Sequence, residues 1–250
     1  MIPVRVDAEG LCVNELPAKA RLVYVTPSHQ FPLGMPMSLE RRIALLDWAS
    51  THRALIVEDD YDGEFRFEGR PLESLKSLDR NDVVAYVGTF SKTIFPELRL
   101  GYVVPPASLA ADFLKAKQIN DWHGCSLTQA ALARFMLDGD FNKHLRRVQK
   151  YYAERRETLL SFMQNELSPW LQVVTPVAGI HLAALLRKGL KEEDVIARAR
   201  HASLGLYGIA GFYAGRRKKQ GLLFGYGDIS ADAIRVSMGR LKSIFNAMEH

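Results

Sequence analysis

Six residue types that could do chemistry together gather in two short stretches of this chain. Lys92 follows an apolar run, Val83 to Val87, and a small polar step, Gly88-Thr89-Phe90-Ser91; Arg99 comes seven residues later. Some thirty residues upstream a second apolar run, Ala54 to Val57, ends in Glu58-Asp59-Asp60-Tyr61. A lysine, an arginine, two hydroxyls, an aspartate and a tyrosine suit an aromatic aldehyde that carries a phosphate and a basic ring nitrogen. Pyridoxal phosphate is such a ligand, and it asks four things of a protein. Lys92 suits the first, a Schiff-base amine, because other cations nearby favour the neutral, nucleophilic form. Asp59 suits the second, a carboxylate that keeps the pyridine nitrogen protonated. Tyr61 suits the third, a donor to the phenolic oxygen. Thr89, Ser91 and Arg99 suit the fourth, a phosphate grip, the arginine through its fork of donors.

The elements that must position these residues read as an α/β fold. Arg21 to Val25, Ala54 to Val57 and Asp82 to Val87 are predicted strands, mostly apolar without alternation, as in a sheet covered on both faces. Ser38 is placed to cap a helix with Leu39, Ile43 and Leu46 on one face. Strand–helix–strand order predicts a largely parallel sheet. Leu98 to Val104 follows too closely for a crossover and is expected to run antiparallel. Ligands of open α/β sheets bind beyond the carboxyl ends of strands, where Thr26, Asp59, Tyr61, Thr89, Ser91 and Lys92 are expected. Residues 126–165 read as long helices. Strand-like runs follow at Ile180 to Leu186, Gly208 to Tyr213 and Leu222 to Tyr226. Ser230 caps a last helix with Ile234, Met238, Leu241 and Phe245 on one face. The predicted division is an incomplete large domain over residues 1–145 and a smaller α+β domain over 146–250. Trp48 and Trp122 are expected in a core or an interface.

The chain has 250 residues, a net charge of +5 and 48% hydrophobic residues. The basic residues are scattered or lie on helical segments, which argues for a solvated surface over a nucleic-acid face. The one tight basic run, Arg216-Arg217-Lys218-Lys219, reads as a loop. Cys12 and Cys125 form neither a disulfide framework nor a metal spacing, so a reducing, cytoplasmic setting is expected. No apolar stretch approaches the roughly 20 residues of a membrane span, and the N-terminus lacks the layout of a signal peptide.

Three stretches carry a family resemblance: Val25-Thr-Pro-Ser-His-Gln-Phe-Pro-Leu-Gly34, Glu58-Asp-Asp-Tyr-Asp62 and Gly88-Thr-Phe-Ser-Lys92. Together with Leu127-Thr-Gln-Ala-Ala131 and the stretch from His144 to Arg156, they resemble the aminotransferase-like domain of MocR/GabR-type bacterial regulators of the GntR family. Those proteins join a winged helix-turn-helix to a fold-type-I pyridoxal-phosphate domain. The resemblance implies Lys92 as the Schiff-base lysine, Asp59 as the pyridine partner with Asp60 as its rival, Tyr61 as the phenolate partner and Arg99 as a phosphate ligand. It also implies a homodimer, a site built near the dimer interface, and an amine, an amino acid or the cofactor itself as effector.

Three departures accompany the resemblance. The chain reads as beginning within the large domain, so DNA binding is expected only through a winged-helix domain that this chain lacks. Phe31-Pro32-Leu33-Gly34 stands where aminotransferases carry Asn-Pro-Thr-Gly; His29 is the candidate to take over that contact, or is structural. No arginine stands near Gly227-Asp228, where enzymes hold the substrate carboxylate, and Arg235 reads as a surface residue of the last helix. The leading expectation is therefore a cofactor-binding sensor with little or no transaminase activity. An active aminotransferase and a non-binding remnant stand as alternatives.

Overall fold

A computed structural model describes residues 1–69, 72–174, 178–187, 189–215 and 218–249. It divides the chain into two compact units. The first comprises Met1–Gln30, Pro36–Glu64 and Arg70–Val148; the second comprises Phe31–Met35, Phe65–Gly69 and Gln149–His250. Arg216 and Arg217 of the basic run lie outside the described residues.

The first unit is built on a four-stranded sheet: β3 (Leu22–Val25), β4 (Leu55–Asp60), β5 (Val84–Thr89) and β6 (Gly101–Val104), in that spatial order. β3, β4 and β5 pair in parallel, and β6 returns antiparallel to β5, as expected. A small hairpin of β1 (Val6–Asp7) and β2 (Gly10–Leu11), too short to leave a period in the sequence, precedes the sheet. Helices α1 (Leu39–His52) and α2 (Leu75–Leu78) supply Leu45, Leu46, Ala49 and Leu75 to a core shared with Val23, Val25, Ile56 and Val84.

Ser38 caps α1 by accepting from the Arg41 amide at 3.3 Å, but the buried stripe is not the expected one. Leu39 and Ile43 are 54% and 48% exposed, and Arg42, Leu45, Leu46 and Ala49 face inward. Arg42 sets that rotation. Its guanidinium, 1% exposed, donates to the carbonyls of Met37 (3.0 Å), Glu73 (3.0 Å) and Pro27 (2.7 Å). A buried cation is tolerated only when its donors are satisfied, so the residues at i+3, i+4 and i+7 from Arg42 form the core face.

The first unit continues through α3 (Ala110–Asp121), which apolar patterning does not announce, α4 (Ser126–Leu137) and α5 (Asp140–Asn165) up to Val148. Neither α3 nor α4 has a buried residue. Trp122, expected in a core or interface, is 83% exposed in this chain. Trp48 is half-buried and stacks on His52 with ring centroids 4.5 Å apart.

The second unit holds an antiparallel sheet in the order β7 (Leu171–Val174), β8 (His181–Leu186), β10 (Gly221–Gly225) and β9 (Tyr207–Gly208). The run expected as a strand over Gly208 to Tyr213 is only that two-residue β9, followed by a 3-10 turn at Ala210–Phe212. The turn is held by Glu192, the first residue of α6 (Glu192–His201), whose carboxylate accepts from the amides of Ile209, Ala210 and Gly221 at 3.0–3.2 Å. The last helix, α7 (Ala231–Met248), behaves as expected. Ser230 caps it, and Ile234, Met238, Leu241 and Phe245 are buried. Arg235 is exposed and paired with Asp232 at 2.7 Å. Among the described residues, no helix is long and apolar enough to cross a membrane.

Leu241 is fully buried and Val236, on the same helix, is 56% exposed. Leu241→Ala is expected to cost about 2–5 kcal/mol of stability and Val236→Ala less than about 0.5 kcal/mol, read from urea unfolding. Equal losses would remove α7 from the core.

Candidate functional site

The parallel pairing brings the carboxyl ends of β3, β4 and β5 to one edge of the sheet. Tyr24 pairs with Val57, Asp59 with Val87, and Asp60 with Gly88. Paired residues share a face and successive residues alternate. Tyr24, Val57, Asp59, Val87 and Thr89 therefore lie on one face. Glu58, Asp60, Tyr86 and Gly88 lie on the other, with the α1–α2 core. The acidic run that looked like a strand end belongs to β4 itself, which continues through Asp60.

The two faces treat their carboxylates differently. Asp59 Oδ2 accepts from the Tyr24 hydroxyl; Tyr24 is 61% exposed, and its pKa is pushed up to about 12 by desolvation and then by Asp59. On the opposite face Glu58, 0% exposed, accepts from the amides of Leu75 and Lys76 at 2.8 Å each and lies 3.9 Å from the Arg42 guanidinium. Asp60 Oδ2 accepts from the Tyr86 hydroxyl at 2.8 Å. Burial raises the pKa of both Glu58 and Asp60 above the ordinary carboxylate range. A Cβ on Gly63 would meet the Asp60 oxygens at 2.4 and 2.6 Å, so only glycine lets the chain turn over that carboxylate.

Beyond the strand ends, Tyr61 donates to the His29 carbonyl at 2.9 Å and lies 3.2 Å from His29 Nδ1. That nitrogen is 2.9 Å from Asp62 Oδ2, and the two side chains are 2% and 1% exposed. Burial raises the Tyr61 pKa, followed by the charges of Asp62, Asp59 and Asp60, so the phenol keeps its proton and stays a donor.

Lys92 sits in a turn tied at both ends. The Phe90 amide donates to Leu100 O at 3.0 Å, the Ile94 amide to Phe90 O at 3.0 Å, and the Ser91 amide to Thr89 Oγ1 at 3.1 Å. His144 Nε2 meets the carbonyl of the buried Thr93 at 2.8 Å. Lys92 is half-buried, and among the described residues it has no hydrogen-bond or ion-pair partner. Arg99, exposed and likewise without an ion pair, stands in the left-handed region at φ 50. Two residues on, Gly101 pairs with Thr89, which returns the chain to the same sheet edge.

The structure thus brings Asp59, Thr89, Ser91, Lys92 and Arg99 to one edge of one sheet, with Tyr61 and His29 joined to each other beside it. Tyr24 and Asp62 were not singled out in the sequence. Tyr24 becomes visible only once the β3–β4 register is known, and Asp62 was in view as the last residue of the Glu58–Asp62 motif. The donor set fits pyridoxal phosphate: a carboxylate on the more accessible face, two hydroxyls, and two cations without an ion pair among the described residues.

No family model matches the chain. It is 36% identical over 250 residues to a probable rhizopine catabolism regulatory protein, MocR, of Rhizobium meliloti, covering 100% of this chain and 51% of that protein. It is 31% identical over 236 residues to the HTH-type pyridoxine biosynthesis transcriptional regulator PdxR of Corynebacterium glutamicum, covering 94% of this chain and 51% of that one. The chain therefore spans about half the length of the curated relatives it matches. Its fold is similar to a kynurenine aminotransferase of Pyrococcus horikoshii crystallised with PMP, with TM-score 0.89 and 28% identity over 99% of this chain and 64% of that one.

Burial makes native Asp60 bind its proton more tightly than the unfolded chain does, so its ionisation costs stability as pH rises from about 4, the ordinary aspartate value. Asp60→Asn carries no such cost. The urea midpoint of the variant relative to the parent is expected to rise as pH increases from about 4. A difference that does not change with pH would remove Asp60 from this titration.

Proposed function

This chain is an aminotransferase-like domain of the MocR-type transcriptional regulators, and from that premise we propose that it binds pyridoxal phosphate through Lys92 and acts as the sensing and dimerising part of a regulator. The cofactor supplies an aldehyde carbon open to a primary amine and a ring that takes up electrons. The chain's own residues hold and orient it. Lys92 would offer the amine. Asp59 would face the ring nitrogen and keep a proton there, since an adjacent anion stabilises the protonated form. Tyr61 would donate toward the phenolic oxygen, and Thr89, Ser91 and Arg99 would hold the phosphate.

The observation that carries this reading is the alternation along β4. It turns Asp59 to the face of Thr89 and Tyr24, and commits Asp60 to Tyr86 in the packed face. This supports Asp59 over Asp60 as the pyridine partner. An amine or amino acid that competes for the Lys92 site, or the cofactor itself, is the effector. DNA recognition belongs to a winged-helix domain outside this sequence, and the setting is cytoplasmic.

Dimerisation accounts for the apolar surface of the first unit. Leu114, Ile119, Trp122, Leu127 and Leu137 on and between α3 and α4 are 62–84% exposed. Apolar surface of that extent marks an interface, and a symmetric homodimer is the commonest way to cover it.

Adding pyridoxal phosphate to the purified protein is expected to produce a visible absorption band that Lys92→Ala abolishes. A band unchanged in that variant would overturn the assignment of Lys92. Asp59→Ala is expected to weaken cofactor retention by about tenfold to a hundredfold, the worth of a charge-assisted hydrogen bond, and Asp60→Ala by less; the reverse order would shift the site by one residue. Sustained turnover of an amino donor with a keto acid would replace the sensor by an enzyme. In sedimentation, Leu114→Glu with Ile119→Glu is expected to convert a dimer to a monomer; a dimer that survives both changes lies elsewhere.

A further inference from the structure

His29 was singled out as a possible direct contact to the cofactor's phenolic oxygen. The geometry points to a different role: we infer that His29, held by Asp62, is a positioning residue that acts on the ligand only through Tyr61. This rests on the reading of Lys92 and Tyr61 given above and deepens it.

Three observations support the assignment. First, Nδ1 of His29 is already engaged. It lies 2.9 Å from an Asp62 oxygen, and both side chains are almost fully buried. Second, the Tyr61 hydroxyl has one proton, and it goes to the His29 carbonyl at 2.9 Å. Donation toward a bound phenolic oxygen requires the hydroxyl to turn from that carbonyl, and the carbonyl's position sets how far it must turn. Third, the loop that carries His29 is fixed at its other points. Arg42 donates to the carbonyls of Pro27 and Met37, and the Met37 amide donates to Pro27. The His29–Asp62 pair ties that loop to the residue following Tyr61.

His29 contacts the Tyr61 hydroxyl, and the charges of Asp62, Asp59 and Asp60 and the Tyr24 phenol act on it. A donor to the phenolic oxygen lowers the proton affinity of the lysine-bound cofactor, because it stabilises the deprotonated form. Loss of a correctly aimed donor raises it.

The test is a pH titration of the visible band in the loaded protein. Tyr61→Phe is expected to raise the midpoint by about half a unit to one unit, a three- to tenfold gain in proton affinity, as for one hydrogen bond. His29→Leu is expected to raise it in the same direction by a smaller amount. His29→Asn, whose amide nitrogen can replace Nδ1 toward Asp62, is expected to restore the parent midpoint. His29→Leu added to Tyr61→Phe is expected to give no further shift. A further shift in that double variant would mean that His29 reaches the cofactor directly and would overturn the inference, as would a midpoint unmoved by His29→Leu in a protein that Tyr61→Phe does shift. Absence of any band in the parent protein would instead sink the cofactor reading beneath it.

Discussion

Parallel pairing of β3, β4 and β5 is the constraint on which the rest depends. Because Val25 pairs with Glu58 and Glu58 with Tyr86, the carboxyl ends of the three strands lie at one edge, and the two faces of the sheet are assigned residue by residue. A slip of one residue in β4 would exchange Asp59 and Asp60 between faces. Asp60 would lose the Tyr86 hydroxyl, and Asp59 would lose the Tyr24 hydroxyl. The register is therefore held by polar groups as well as by Ile56 and Val84. The wrong register would also take Glu58 from the amides of Leu75 and Lys76, and buried donors left without a partner are costly.

The same face explains why so polar a motif sits in a strand at all. Glu58 is fully buried, yet it accepts from two amides at the start of α2 and lies near Arg42. Arg42 in turn donates to three carbonyls, Pro27 and Met37 at the two ends of one loop and Glu73 just before α2. This arrangement contributes position more than stability. An ion pair taken out of water gains little net free energy, but it fixes where the loop 27–37 and the start of α2 can lie relative to the sheet. The candidate site residues thus rest on a scaffold in which Glu58 and Arg42 have their partners among backbone groups.

Much of this was legible in the sequence. Unalternating apolar runs gave three strands, the short step from Lys92 to the next run gave the antiparallel return, and the spacing from Ser230 to Phe245 gave the last helix with its inward face. The failures have definite causes. Leu39 and Ile43 were expected inside because apolar periodicity cannot foresee an arginine with three carbonyls waiting for it. β4 was ended early because a charged run reads as a turn, whereas main-chain pairing with β5 carries it on to Asp60. α3 went unseen because its apolar residues are spread round the helix and none is buried. At the site, residue types and spacing were visible, but Tyr24 was not, since which residue of one strand stands beside Asp59 is a matter of register.

The exposed apolar residues of α3 and α4 bear on the same point. A helix whose hydrophobic side chains follow no single stripe is poorly suited to lie on one sheet face. Spread round the axis, they suit a helix that meets more than one surface. In the second unit α7 shows the opposite pattern, with one sharp stripe buried and Arg235 and Val236 outside. The two halves of the chain thus differ in what their helices leave unfinished. The second closes its core with its own residues. The first presents, on α3 and α4, apolar side chains that remain exposed within this chain.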